Sequence, residues 1–319
     1  MSLKSKLKSF KKIPLVLLVW NERRRIIGNK QIKKTSDEEF ILKEYRSRTG
    51  HELNLANPTR FTEKLQWLKL FYRDDNIKVT TDKYTVREYL KNKGYEHILN
   101  DLIGAYDTPD DIDFNSLPDK FVLKLSHGSG WNIICKDKSR LNLPIYKLII
   151  KSWMKQNLYI YGREWNYKDL EPKIIIEKYL DNNDGQLTDY KFFCFNGKPH
   201  FVQIDHDRFS HHKQTYYDMN WRILNVQTGH ETLTEDCPQN FEEMKSIATE
   251  LSKPFPHVRI DFYNVNNKIY FGEFTYFDGS GFYTFEPDNT DFAWGKLLEL
   301  PKPNYNLDLL KTFTVEKLT

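Results

Sequence analysis

Lys191-Phe-Phe-Cys-Phe-Asn-Gly-Lys-Pro-His-Phe-Val-Gln203 decides the fold class. Two aromatic, apolar runs flank Asn196-Gly197, a dipeptide that accepts the two positive φ angles of a tight antiparallel turn. A second turn signal, Asn264-Val-Asn-Asn267, separates Val258-Arg-Ile-Asp-Phe262 from Phe271-Gly-Glu-Phe-Thr275. Outward from these hairpins, strand patterns fall at 120–126, 131–135, 173–180, 189–195, 199–205, 221–226, 257–263 and 268–275. Amphipathic segments at 144–157 and 240–252 lie between them. The preceding chain reads as helical. Ser36-Asp-Glu-Glu39 is a capping pattern, and Asn57-Pro58 with Thr59 opens a helix bearing Phe61, Leu65, Leu68 and Tyr72 on one face. A third helix follows Thr81-Asp82 and is broken by Gly94. Hairpins interspersed with helices predict an α+β fold with mostly antiparallel sheets, not a doubly wound parallel sheet.

At 319 residues, 39% hydrophobic and 29% charged, the chain is long enough and mixed enough to bury a core in two or three lobes. The 15% aromatic content suits sheet packing, with sugar stacking as the alternative use of the same rings. The net charge of +4 is unevenly placed. Residues 1–34 carry eleven Lys or Arg against Glu22 alone, a local net of +10, and the remainder nets −6. This distribution argues against a nucleic-acid-binding body. Within the basic arm, Ile13-Pro-Leu-Val-Leu-Leu-Val-Trp20 is too short to span a membrane, and Asn21-Glu-Arg-Arg-Arg25 stands where a signal peptide would have small residues. Two uses remain: peripheral contact with an anionic membrane, or a first helix docked on the body. Cys135, Cys194 and Cys237 are widely spaced, which predicts reduced thiols in the cytoplasm, at most at the inner membrane face.

Two further patterns bear on chemistry. In Phe121-Val-Leu-Lys-Leu-Ser-His-Gly-Ser-Gly-Trp131 a lysine on a strand is followed by a glycine-rich turn. A lysine between apolar neighbours needs a partner, and backbone N–H groups at glycines can wrap an anion, so a phosphate fits; a surface hairpin with a snorkelling lysine is the alternative. The chain has no G-x-x-x-x-G-K-[ST], which excludes a P-loop. In the second hairpin Asp261 falls within about one residue of facing Glu273, and opposed carboxylates at that spacing suit Mg²⁺. Arg259 lies on the same face as Asp261, where it can meet developing negative charge. The alternative is a solvated hairpin of Arg–Asp and Lys–Glu pairs. Glu177 closes the apolar strand Ile174-Ile-Ile-Glu-Lys-Tyr-Leu180.

These phrases, with Phe61-Thr-Glu-Lys-Leu-Gln-Trp-Leu68, Asp82-Lys-Tyr-Thr-Val-Arg-Glu-Tyr89, Asp189-Tyr-Lys-Phe-Phe-Cys-Phe-Asn-Gly197 and Tyr217-Asp-Met-Asn-Trp221, resemble the ATP-grasp superfamily, in its teichuronopeptide-biosynthesis-like (TupA-like) branch. The resemblance implies an ATP-grasp fold: a basic arm at 1–34, a helical region at 35–95, a small lobe at 96–172, a large lobe at 173–301 and a tail at 302–319. It implies ATP and Mg²⁺ as cofactors. Lys83 and Lys124 would contact phosphates under a cover of His127, Gly128, Ser129 and Gly130, with Lys191 as a further anion contact. Glu177, Lys178 and Leu180 would form the adenine and ribose hinge. Asp261 and Glu273 would hold the metal, with Thr275 where the superfamily usually has Asn, and Arg259 would stabilise an oxyanion. Arg208 joins the catalytic candidates, and His211, His212, Ser280 and Gly281 the substrate-binding ones.

The branch implies an ATP-dependent carboxylate–amine ligase of bacterial capsule, O-antigen or wall-polymer assembly. A uronic-acid carboxylate would be activated as an acyl phosphate and captured by an amino acid. The competing expectation is a metal-dependent glycosyltransferase, for which Asp205-His-Asp207 and Asp111-Ile-Asp113 supply D-x-D triplets. A third is a non-catalytic module that docks a membrane assembly.

Overall fold

The computed structural model describes residues 14–181, 187–206, 213–227 and 231–315. The chain divides into two compact units. The first holds residues up to Ser36, Lys78–Gly94 and Asn100–Tyr179; the second holds Asp37–Ile77, Tyr95–Leu99 and Leu180 onward.

Helices come first: α1 (Pro14–Lys34), α2 (Asp37–Thr49), α3 (Phe61–Phe71), α4 (Asp75–Thr81) and α5 (Thr85–Asn92). Glu63 starts α3. Its carboxylate turns back to accept from the backbone N–H groups of Thr59 (2.8 Å) and Arg60 (3.0 Å), which the first helical turn leaves without partners. Asp82 does the same for α5 through Tyr84 and Thr85.

In the first unit, β1 (Leu102–Tyr106), β2 (Phe121–Leu125), β3 (Asn132–Cys135) and β4 (Ile174–Lys178) form an antiparallel sheet in the order β1-β4-β2-β3. Phe121, Leu123 and Leu125 alternate inward and pack with Ile174 and Ile176 beneath α6 (Leu143–Met154). The short helix α7 (Tyr159–Gly162) follows. Helix α1 adds Leu17 and Leu18 to the same core.

In the second unit, β5 (Asp189–Phe195), β6 (Lys198–His206), β7 (Lys213–Asp218), β8 (His257–Val265) and β9 (Lys268–Thr275) form a sheet in the order β7-β6-β5-β8-β9, every pair antiparallel. Helix α8 (Phe241–Ser252) covers one face, stacking Phe241 on Phe192. The other face changes character along its length. At one end Phe193, Phe195, Phe201 and His257 pack with Phe61 of α3 and with Trp294 of α9 (Asn289–Leu297). At the other end the same face carries charge. Gly295 lets α9 lie against the start of α3, because a Cβ there would come within 2.0 Å of the Thr59 carbonyl. A last helix, α10, spans Leu307–Val315.

The α+β expectation holds, and both hairpins turn where predicted, with Asn196, Gly197, Asn266 and Asn267 all at positive φ. The expectation of a strand at 221–226 does not. Asp218 accepts from Asn220, Trp221 and Arg222, so the chain turns there and returns through a single bridge, Tyr217 to Ile223. The strand instead precedes the turn, at β7. The aromatics whose contacts are given above serve sheet packing.

Candidate active site

The first unit gathers a cationic cluster beside a glycine turn. Lys124 pairs across the ladder with Ile175, so Glu177, two residues on, is its diagonal neighbour on the same face. Their side chains meet, Lys124 Nζ donating to Glu177 Oε2 at 2.7 Å. Glu177 Oε1 accepts from Arg87 Nη1 at 2.9 Å, and Arg87 also donates to the Asn100 carbonyl. The carboxylate expected at a nucleotide hinge is thus also the group that orients the strand lysine, and it stands between two cations, Lys124 and Arg87. Arg87 is the residue sequence reading missed; it lies inside the phrase 82–89, but nothing local says it reaches Glu177.

Lys83 approaches the turn from α5's leading end. Its backbone N–H donates to Ser126 O and its Nζ to Gly128 O at 2.5 Å. Ser129 and Gly130 are exposed, and Gly130 has a φ of 75°. Trp131 lies over Gly128, where a Cβ would meet the indole at 2.2 Å. His127 is 3% exposed and packs 5.0 Å from the Trp131 ring. Burial lowers its pKa to about 4, the nearby backbone of Gln156 and Trp153 offsetting only part of that desolvation. The ring is therefore neutral at pH 7. Lys178 is exposed and paired with Asp101 at 3.4 Å; Leu180 is half-buried.

The charged end of the second sheet is a cluster of a different kind. Its register places Gln203, Lys191, Asp261 and Glu273 side by side across four strands. Asp261 and Glu273 face each other because a bulge between Asp261 and Phe262 shifts β9 by one residue, at Gly272. Asp261 is 2% exposed. It receives Arg259 Nε on Oδ1 at 2.7 Å, and Arg259 Nη2 and Lys191 Nζ on Oδ2 at 2.9 and 2.7 Å. Burial alone would raise this carboxyl, but the Arg259 and Lys191 charges hold it down at about 2. Lys191 also lies 3.5 Å from Asp189 and 3.7 Å from Asp205, two buried carboxylates on the same face.

Arg259 is the hub of this cluster. Beyond Asp261 it reaches the Asp278 carboxylate, Thr275 Oγ1 at 3.1 Å and Glu273 at 3.7 Å. Burial opposes its charge, but Asp261 and Asp278 outweigh that and raise its pKa well above the ordinary value. The turn 278–281 is in turn gripped by α3. Ser280 O accepts from Lys69 (2.7 Å) and Gln66 (3.0 Å), and Gly281 O from Gln66 (2.7 Å). Lys69 also sits 4.2 Å from the Phe282 ring centre. These α3 residues were not on the sequence list of site candidates. Gln66 lies in the phrase 61–68, which pointed to a helix and to the family but to no site role, and Lys69 lies one residue beyond it.

Among the described residues, no group of three or more His, Cys, Asp or Glu side chains is arranged to hold a metal unaided. The Asp261–Glu273 pair nonetheless fits Mg²⁺. Each Asp261 oxygen has two acceptor positions, so Oδ1 keeps one beyond its Arg259 contact, Glu273 is partly open to solvent, and Mg²⁺ commonly completes its shell with phosphate and water. Of the D-x-D triplets, Asp111 and Asp113 accept from Thr108 and Asn115 within their own loop, and Asp205 lies in the Lys191 cluster. Arg208, His211, His212 and Asp207 fall outside the described residues. No helix among the described residues is long and apolar enough to cross a membrane.

A family model described as TupA-like ATPgrasp matches residues 63–299. No curated protein matches the chain in sequence. Among solved structures, the D-alanine–D-alanine ligase of Bacillus anthracis complexed with ATP is similar at 15% identity, over 80% of this chain and 69% of that one, with a TM-score of 0.43. The corresponding ligase of Helicobacter pylori is 14% identical over 76% and 70%, with a TM-score of 0.41. The phosphoribosylamine–glycine ligase of Thermotoga maritima is 10% identical over 63% and 48%, with a TM-score of 0.39. At such values these are likenesses, and the family assignment rests on the sequence match.

Proposed function

Because the chain belongs to the TupA-like ATP-grasp family, we propose that it is an ATP-dependent carboxylate–amine ligase of bacterial surface-polysaccharide assembly. Its substrates in this reading are a uronic-acid carboxylate and an amino-acid amine, and it works in the cytoplasm, in peripheral contact with an anionic membrane. The observation that carries the proposal is the alignment of Asp261 opposite Glu273 with Arg259 and Lys191 bonded to the first carboxylate. A surface hairpin has no need to bury such a network, since removing charges from water is expensive unless they are paired and used.

Lys83 and Lys124 are proposed to contact the nucleotide phosphates, under the cover of His127, Gly128, Ser129 and Gly130. Glu177, Lys178 and Leu180 are proposed at the adenine and ribose, Glu177 holding Lys124 in place meanwhile. Asp261 and Glu273, with Thr275 beside them, would hold Mg²⁺, which supplies charge neutralisation during phosphoryl transfer. The substrate carboxylate attacks the ATP γ-phosphorus, the β–γ bridging oxygen leaves with ADP, and an acyl phosphate results. The amine then attacks the acyl carbon, loses a proton to solvent and expels phosphate. Arg259 is proposed to stabilise the tetrahedral oxyanion by exchanging one carboxylate partner for it. Arg208, Lys191, His211 and His212 are proposed as anion contacts, and Ser280 and Gly281 as contacts to the acceptor.

The test is ADP release from ATP and Mg²⁺ in the presence of uronic acids and amino acids, with the carboxylate carrying a heavy-oxygen label. Release that requires both substrates, with the label appearing in phosphate, is the expected result. A stable sugar phosphate, or turnover of a nucleotide sugar without ATP, would refute it.

A further inference from the structure

Helix α1 has a docked face and an outward face, and the outward face is chemically unusual. Leu17 and Leu18 join the first unit's core, Asn21 is buried with its carbonyl accepting from Gln156, and Gly28 lies so close to Ile160 that a Cβ would fall within 2.0 Å of it. Arg24 is held between the rings of Trp20 and Tyr161, at 4.3 and 3.9 Å from their centres. These contacts fix which side of the helix meets the protein.

Apart from Asn29, which lies just off it, the exposed positions repeat at the three- and four-residue spacing of one helix face: Val16, Val19, Arg23, Ile26, Ile27, Lys30, Lys33 and Lys34. At about 100° per residue they fall within roughly a third of the circumference. Four are aliphatic and exposed, from 36% at Val16 to 66% at Val19, and four are basic. None is acidic; the helix's one carboxylate, Glu22, lies off the stripe and is paired with Arg25. A merely solvated face would not carry four exposed aliphatics among its cations. A face made for a protein core would not carry four cations among its aliphatics.

We propose that this stripe is a membrane-docking surface, on which α1 lies in the plane of an anionic bilayer. Val16, Val19, Ile26 and Ile27 enter the boundary between headgroups and acyl chains, while Arg23, Lys30, Lys33 and Lys34 extend to the headgroup charges. Charge complementarity selects this occupant: residues 1–34 net +10 in a chain whose remainder nets −6, so attraction to anions is concentrated at this end. The inference deepens the membrane contact of the proposed function and is independent of the ligase chemistry. It assigns the contact to a helix packed into the first unit.

The experiment is co-sedimentation of the full chain with vesicles of phosphatidylcholine, alone or with phosphatidylglycerol. The full chain is expected to pellet with the anionic vesicles only, and to be released at about 0.5 M salt, where charges are screened within a few Å. A Val19→Asn, Ile26→Asn, Ile27→Asn variant is expected to lose at least about tenfold in partition, and an Arg23→Gln, Lys30→Gln, Lys33→Gln variant about a hundredfold, each basic residue contributing on the order of a factor of five. Both sets face solvent, so unchanged thermal unfolding serves as the control. A full chain that stays in the supernatant, or either variant pelleting like the parent, would overturn the proposal. So would a dimer in free solution that the aliphatic variant abolishes, which would make the face a contact between copies. ADP release with soluble substrates scores the ligase reading separately.

Discussion

Lys191 is the residue on which the second cluster's electrostatics turn. It stands among Asp189, Asp205 and Asp261, with 3% of its side chain exposed, and supplies one of the two cations bonded to Asp261. Lys191→Met keeps the side chain's bulk and removes its charge, leaving the carboxylates to repel one another. The expected loss is about 3–5 kcal/mol, read as a fall in the urea midpoint; an unchanged midpoint would contradict the buried ion network. Two histidines give a second residue-scale prediction. His127 and His257 are neutral in the fold, burial lowering them to about 4 and about 3. The unfolded chain takes up their protons below about 6.5 and the native state does not, so each ring withdraws ~1.4 kcal/mol of stability per pH unit across that window. The Asp261 contribution is present above the ordinary carboxylate value of 3.8 and is lost as pH falls through about 2. Urea midpoints are therefore expected to fall between pH 7 and 5, less steeply in His127→Phe; equal slopes would mean the ring is not buried neutral.

At the scale of elements, the alignment of the second cluster depends on bulges. From the Asn266–Asn267 turn, uninterrupted pairing would set Asp261 against Gly272; the bulge sets it against Glu273 instead. At Gly272 an added Cβ would stand 3.0 Å from the Asp261 carbonyl oxygen and 3.3 Å from its Cβ. Gly272→Ala is expected to displace Asp261, costing about 1 kcal/mol or more in stability and at least tenfold in ADP release. Parent-like kinetics would show that the alignment is not needed. The hairpins were legible because Asn196-Gly197 and Asn266-Asn267 announce their turns chemically. The registers were not, since the β5–β6 bulge between Phe193 and Cys194 places Asp205 opposite Asp189, a pairing that alternation counted from Asn196-Gly197 misses by one. For the same reason Asp189 and Asp205 gave no sign that they converge on Lys191. Strand β7 was missed and a strand placed beyond it because Asp218's turn-forming hydrogen bonds are invisible in hydrophobic alternation.

At the scale of the whole molecule, what the sequence showed well was chemistry in order along the chain: Lys83, Lys124 and its glycine turn, Glu177, Lys191, Asp261, Glu273. What it could not show was which sheet takes each strand. Ile174–Lys178 pairs with β1 and β2 in the first unit, a partnership that no local pattern encodes. Nor did helix α3 advertise that Gln66 and Lys69 hold the Ser280–Gly281 carbonyls more than two hundred residues away. In the proposed function Lys124 contacts the phosphates of ATP, and Glu273 helps to hold its Mg²⁺. Calorimetric titration of Mg²⁺–ATP into the parent chain, Lys124→Ala and Glu273→Gln tests it most directly. Binding to the parent and at least a tenfold weakening in each variant, about 1.4 kcal/mol or more, is the predicted result. Parent affinity retained in either variant, or no binding to the parent, would contradict it.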